Sequence, residues 1–123
     1  MNSKQKGSLA VSHCIAKLYE EGYEVFIPIG DRLKYDLIFD DGKELWKVQV
    51  KYAGLTTKNK CIVGLRTTGG NQSFNYARKY DDSSFDYLYV FTAKNEHYLI
   101  KWSDIKARNE LSIEAKKFDK YKI

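Results

Sequence analysis

The 123-residue chain has one proline, one methionine, two cysteines and two histidines. Each scarcity removes a class of explanation. Two cysteines cannot build a disulfide framework, and Cys14 and Cys61 both sit in apolar runs, so both read as small buried hydrophobes. His13 and His97 have no third ligand at a helpful spacing, which argues against zinc and against a Ser/His/Asp or Cys/His nucleophile. The Gly69-Gly70 pair lacks the Gly-Lys-Ser/Thr ending of a phosphate loop. No apolar run approaches the roughly 18 residues that span a bilayer, and the first residues lack the apolar stretch of a signal peptide. A cytoplasmic protein with no membrane partner is expected.

What is present suffices for folding. With 43% apolar residues the chain can bury a core as one domain over residues 1–123 without a staple. The formal charge is +5. A modest excess of this kind permits nucleic acid, an acidic membrane surface or simple solubility, and only its location decides among them.

Leu9, Val11, Cys14, Ile15 and Leu18 recur at helical spacing, which predicts a helix from Ser3 to Glu21 with Gly22 as its stop. Short strands follow at Tyr23–Ile27 and Tyr35–Phe39. Asp41-Gly42 predicts a hairpin turn into a strand over Glu44–Tyr52. Further strands are expected at Cys61–Arg66, Phe85–Thr92 and His97–Trp102, with a long polar loop over Thr67–Ser84. A short helix from Asp104, capped by Ser103, and a last one over Leu111–Lys120 complete the chain. The order indicates an α+β fold (α/β in the broad sense) with a central mixed β-sheet flanked by helices.

A turn centred on Asp41-Gly42 makes facing residue numbers sum to 83, setting Asp36 opposite Lys47. Tyr35, Leu37, Phe39, Trp46, Val48 and Val50 then share an apolar face, and Asp36, Lys47, Gln49 and Lys51 share the other. A carboxylate, an amide and an ammonium would lie in one patch. The plain alternative is a solvated sheet face whose polar residues only meet water.

A helix, a strand with Asp36, a turn, and a strand with Gln49-Val50-Lys51 together resemble the core of the PD-(D/E)XK, or restriction-like, nucleases. In particular the chain is similar to the branch that contains a cyanobacterial group I intron-encoded homing endonuclease. Lys6-Gly7 at the helix start, Gly22-Tyr23-Glu24-Val25, and Ile27-Pro28-Ile29-Gly30-Asp31 carry the likeness further. The resemblance implies a restriction-endonuclease-like core and a Mg²⁺-dependent endonuclease acting on double-stranded DNA. Asp36, Gln49 and the Val50 carbonyl would hold the metal, and Lys51 would orient or deprotonate the attacking water. Because one small domain supplies one site, a homo-oligomer, dimer or tetramer, is also implied.

Two positions depart from the family pattern. Tyr35 stands where relatives have proline, which is no ligand. Val11 stands on the first helix where many relatives carry a glutamate near the metal. That leaves one formal carboxylate and three alternatives: a weakened enzyme, an inactivated variant, or an acid recruited from Glu20, Glu21 or Glu24. A DNA-binding module that keeps the nuclease fold with little or no catalysis, or a protein-interaction domain, are the competing functions.

Residues 58–80 hold Lys58, Lys60, Arg66, Arg78 and Lys79 with no acidic residue, an excess equal to the whole net charge. Together with Asn71, Gln72 and Asn75 they form the expected DNA-facing rim, since Arg, Asn and Gln suit phosphates and base edges. A flexible polar loop is the other reading. The basic and acidic residues beyond Lys101 interleave as on a solvated surface.

Overall fold

Helix α1 (Ser3–Glu20) begins with a reciprocal cap, in which the Asn2 side chain accepts from the Gln5 N–H and the Gln5 side chain accepts from the Asn2 N–H, both at 2.9 Å. It ends where Gly22 takes φ +89° and donates to the Tyr19 carbonyl while Tyr23 donates to that of Leu18, a double closure that favours glycine. The computed structural model describes residues 1–70, 75–81 and 83–123, with the backbone alone at 67–70 and 75–79.

Nine strands follow among the described residues: β1 (Glu24–Phe26), β2 (Leu37–Asp40), β3 (Leu45–Leu55), β4 (Cys61–Gly64), β5 (Arg66–Gly70), β6 (Asn75–Lys79), β7 (Tyr87–Thr92), β8 (His97–Lys101) and β9 (Glu110–Ser112). The eleven-residue β3 organises them. It pairs antiparallel with β2 over its first half, parallel with β7 from Val48 to Ala53, and antiparallel with β4 at Gly54 and Leu55. Strands β1, β8 and β9 extend the sheet beyond β2, β7 and β4. The sheet is mixed and mainly antiparallel, and β5 and β6 form a separate two-stranded ribbon.

Alternation along β3 and β7 divides the interior. Val48, Val50, Tyr89 and Phe91 join Leu37, Phe39 and the Ala10–Cys14–Leu18 stripe of α1 in one core. Ala53, Leu88 and Val90 join Val63, Leu65, Tyr98, Ile100, Trp102, Leu111, Ile113 and Phe118 in a second core on the opposite face. Cys14 and Cys61 are free thiols, one in each core.

Several expectations are corrected. The hairpin turn runs from Asp41 to Glu44, because the Asp41 carboxylate accepts from the N–H groups of Lys43 and Glu44, both at 2.8 Å, with Gly42 at φ +92°. Asp40 therefore faces Leu45, facing numbers sum to 85, and Lys47 pairs with Ile38 rather than Asp36. A shift of two preserves parity, so the two faces keep their residues. Tyr35 is the exception, since it precedes β2 and packs against the second core. Part of the expected 67–84 loop is the β5–β6 ribbon. The expected C-terminal helices are a 3₁₀ turn at Trp102–Asp104, strand β9 and a 3₁₀ segment at Lys116–Tyr121. Leu111 and Ile113 alternate into the second core, and the free edge of β4 gives that strand its partner.

His13 and His97 lie 84 residues apart in sequence yet meet between α1 and β8, with ring centroids 5.2 Å apart and Phe91 against both. The Tyr89 hydroxyl and Nδ1 of His97 share a hydrogen bond of 2.6 Å. Burial, then Lys17 and His13, hold the His97 pKa below its ordinary value, with Glu20 opposing. The unfolded chain therefore binds the proton more readily, so this contribution to stability is present above pH ~6.5 and lost as pH falls below it. The thermal midpoint should drop between pH 7 and 5, and His97→Gln should flatten that slope; an unchanged slope would contradict the assignment. Leu88→Ala, which empties a fully buried position on β7, should cost about 2–5 kcal/mol in a denaturant titration.

Candidate active site

Asp36 stands immediately before β2 and is fastened to β3 by two bonds. Its N–H donates to the Val48 carbonyl at 2.8 Å, and its carboxylate accepts from the Val50 N–H at 2.7 Å. That second bond places the carboxylate at the residue between Gln49 and Lys51. Alternation along β3 turns Gln49 and Lys51 to the face opposite Val48 and Val50. The Gln49 amide nitrogen donates to the Val50 carbonyl at 3.3 Å. The Lys51 ammonium donates to the Arg66 carbonyl at 3.2 Å and lies 5.2 Å from the centre of the Tyr80 ring. Asp36, Gln49 and Lys51 are all half-buried.

Burial raises the Asp36 pKa above the usual carboxylate value, and the Val50 N–H and the Lys51 charge offset only part of the rise. The same burial lowers the Lys51 pKa, with Asp36 opposing. Cys14 also senses this carboxylate, since burial and then the Asp36 charge push its thiol pKa up. The buried side of α1 thus approaches Asp36, and Val11 lies one turn before Cys14, half-buried against the same core. Of the candidate replacement acids, Glu20 acts on Tyr89 and His97 at the far end of α1, while Glu21 and Glu24 are exposed.

Among the described residues, no three His, Cys, Asp or Glu side chains converge on one point. The oxygen atoms at hand are the Asp36 carboxylate, the Gln49 amide and the Val50 carbonyl. This set has one formal charge and no nitrogen or sulfur donor, which fits a hard divalent cation that retains several waters. A half-buried carboxylate whose charge Lys51 only partly balances fits the same kind of ion.

The expected DNA-facing residues fall into three groups. Lys58 and Lys60 are exposed on the β3–β4 turn, where the Thr56 hydroxyl accepts from both their N–H groups. The Arg66 guanidinium at the start of β5 donates twice to the Asn109 side-chain oxygen, at 3.1 and 2.7 Å, and is tied to the C-terminal segment. Asn75, Arg78 and Lys79 occupy β6 at register positions facing Gly70, Thr67 and Arg66. Asn71 and Gln72 lie outside the described residues. Sequence reasoning missed Tyr80, Asn109 and Cys14 as neighbours of these groups. Their contacts join residues far apart in the chain, and no local spacing signals them.

Comparison with known proteins identifies the family. The family model of the PD-(D/E)XK endonuclease matches residues 1–123. The structure is similar to that of a bacterial homing endonuclease, I-Ssp6803I, with a TM-score of 0.83 and 27% identity over 99% of this chain and 89% of that one. No curated protein sequence matches. The β-hairpin that carries Asp36, Gln49 and Lys51, the helix across it and the match over the full length together establish that the chain belongs to the PD-(D/E)XK endonuclease family.

Proposed function

We propose that residues 1–123 form a single nuclease domain that hydrolyses phosphodiester bonds in double-stranded DNA with Mg²⁺ as its cofactor. The carrying observation is the bond from the Val50 N–H to the Asp36 carboxylate, which gathers Asp36, Gln49 and Lys51 at one point of β3. Asp36, the Gln49 amide oxygen and the Val50 carbonyl would hold the metal, which neutralises phosphate charge and acidifies a bound water. Lys51, whose pKa burial lowers, is suited to orient that water or take its proton. The likeness to a homing endonuclease supports a site-specific substrate. Lys58, Lys60, Arg66, Asn71, Gln72, Asn75, Arg78 and Lys79 are the proposed DNA contacts. Cutting both strands calls for two such sites, hence a homo-oligomer, and the cytoplasm is the proposed compartment.

One observation favours a second reading. With Val11 on the helix side of Asp36, the oxygen set has a single formal charge, and metal affinity should be low. The chain would then be a DNA-binding module on a nuclease fold with weakened or absent catalysis.

Incubation of the full chain and Mg²⁺ with supercoiled and intron-less target DNA separates the two. Cleavage that Lys51→Ala lowers about 100-fold or more supports the enzyme. DNA binding that weakens with salt, without cleavage and with no response to Lys51→Ala, supports the module. Val11→Glu adds a carboxylate beside Asp36 and should tighten metal binding and raise cleavage; a variant that folds but gains neither would argue against that helix position.

Asp36→Asn tests the electrostatics. A raised folded-state pKa means that stability is present below pH ~3.8 and lost as pH rises and the buried carboxyl ionises. Removing the charge should therefore abolish cleavage yet raise the thermal midpoint at neutral pH in metal-free buffer. A lower midpoint would show that the pairing with Lys51 outweighs burial.

A further inference from the structure

Both groups that hold the Lys51 ammonium belong to the feet of the β5–β6 ribbon. Arg66, the first residue of β5, supplies the accepting carbonyl, and Tyr80, which follows the last residue of β6, supplies the ring. Arg66 pairs with Lys79, so the two feet are neighbours.

Each foot is fixed to the body of the protein. On one side the Leu65 N–H donates to the Asn109 carbonyl at 2.8 Å, and the Arg66 guanidinium grips the Asn109 side chain. On the other, Tyr80 is 4% exposed and meets Phe85 and Trp102 edge-on, at centroid distances of 5.0 and 6.2 Å. The Trp102 indole donates to the Asp81 carbonyl at 2.9 Å. A lysine on a flexible four-carbon stem has no intrinsic position for its charge, so the carbonyl and the aromatic face select it. The ring attracts the cation without accepting a hydrogen bond in the usual sense, and the carbonyl occupies one of three ammonium protons.

We infer that Tyr80 and the Arg66 carbonyl clasp Lys51, which makes Tyr80 a positioning residue of the nuclease site and ties that site to the feet of the β5–β6 ribbon. This inference rests on Lys51 being the group that orients the attacking water. Nothing in the spacing of Lys51, Arg66 and Tyr80 along the chain suggests the clasp; it exists because the ribbon leaves and re-enters the body beside β3.

The test compares single-turnover cleavage and DNA affinity for the wild-type chain and for Tyr80→Phe, Tyr80→Leu and Lys51→Ala. Tyr80→Phe keeps the ring and should cleave as the wild type does. Tyr80→Leu should cleave about tenfold more slowly with unchanged DNA affinity, a loss in the range of a partly buried cation–ring contact. Wild-type rates in Tyr80→Leu, or equal losses in the Phe and Leu variants, would overturn the clasp while leaving an inactive Lys51→Ala to support the nuclease assignment. A Lys51→Ala variant as active as the wild type would instead overturn the role of Lys51, and the positioning role of Tyr80 with it. Should Tyr80→Leu not fold, NMR of the wild-type chain decides. The Lys51 ε-methylene protons should lie upfield of the other lysines through the ring current of Tyr80, and an unshifted position would overturn the clasp.

Discussion

The pairing of β3 with its neighbours is the constraint on which the other features depend. One strand of eleven residues meets β2, β7 and β4 in turn, so every residue from Leu45 to Leu55 has a paired neighbour, and Val48, where the β2 and β7 ladders meet, is paired on both sides. A strand held along its whole length cannot rotate, and its side chains alternate between the two faces of the sheet, with Trp46, Val48, Val50 and Tyr52 toward the first core and Ala53 toward the second. Val48 and Val50 go to the core under α1 because that core needs apolar surface. Gln49 and Lys51 are thereby delivered to the other face, at the end of the second core. The polar site is a geometric consequence of burying two valines.

The second consequence is electrostatic. Asp36 reaches the same place from outside the strand and accepts the Val50 N–H, trading hydration for one strong hydrogen bond and a partial Coulomb balance with Lys51. That trade leaves the carboxylate less comfortable ionised than it would be in water, a common state for a group that awaits a cation or substrate. The buried stripe of α1, Ala10, Cys14 and Leu18 with Val11 beside it, carries no acid, and of these the Cys14 thiol senses the Asp36 charge. What surrounds the pair is instead donated by the ribbon, whose first carbonyl and following tyrosine complete the environment of Lys51. The start of β5 and the residue after β6 therefore lie against the polar point on β3.

Legibility differed from element to element for physical reasons. The α1 stripe and the two faces of the β2–β3 hairpin were readable, because hydrophobic period depends only on local geometry and survives a register shift of two. The register itself was not readable, since it turned on which of several Asp41 hydrogen bonds closed the turn. The β5–β6 ribbon gave no apolar signal, being outside the main sheet. The C-terminal strand was mistaken for a helix because Leu111, Ala115 and Phe118 fit one helical face, while the open edge of β4 was invisible.

Fold class, the α1 stripe and the face alternation of the β2–β3 hairpin follow from the order of residues along the chain, since each rests on local periodicity and turn chemistry. Only the fold decided that Asp36 bonds Val50 rather than facing Lys47, and that Asn109 ties down Arg66. It also decided that Tyr80 lies beneath Lys51. Such contacts join segments up to 43 residues apart, and only the closing of the two cores around β3 brings them within reach.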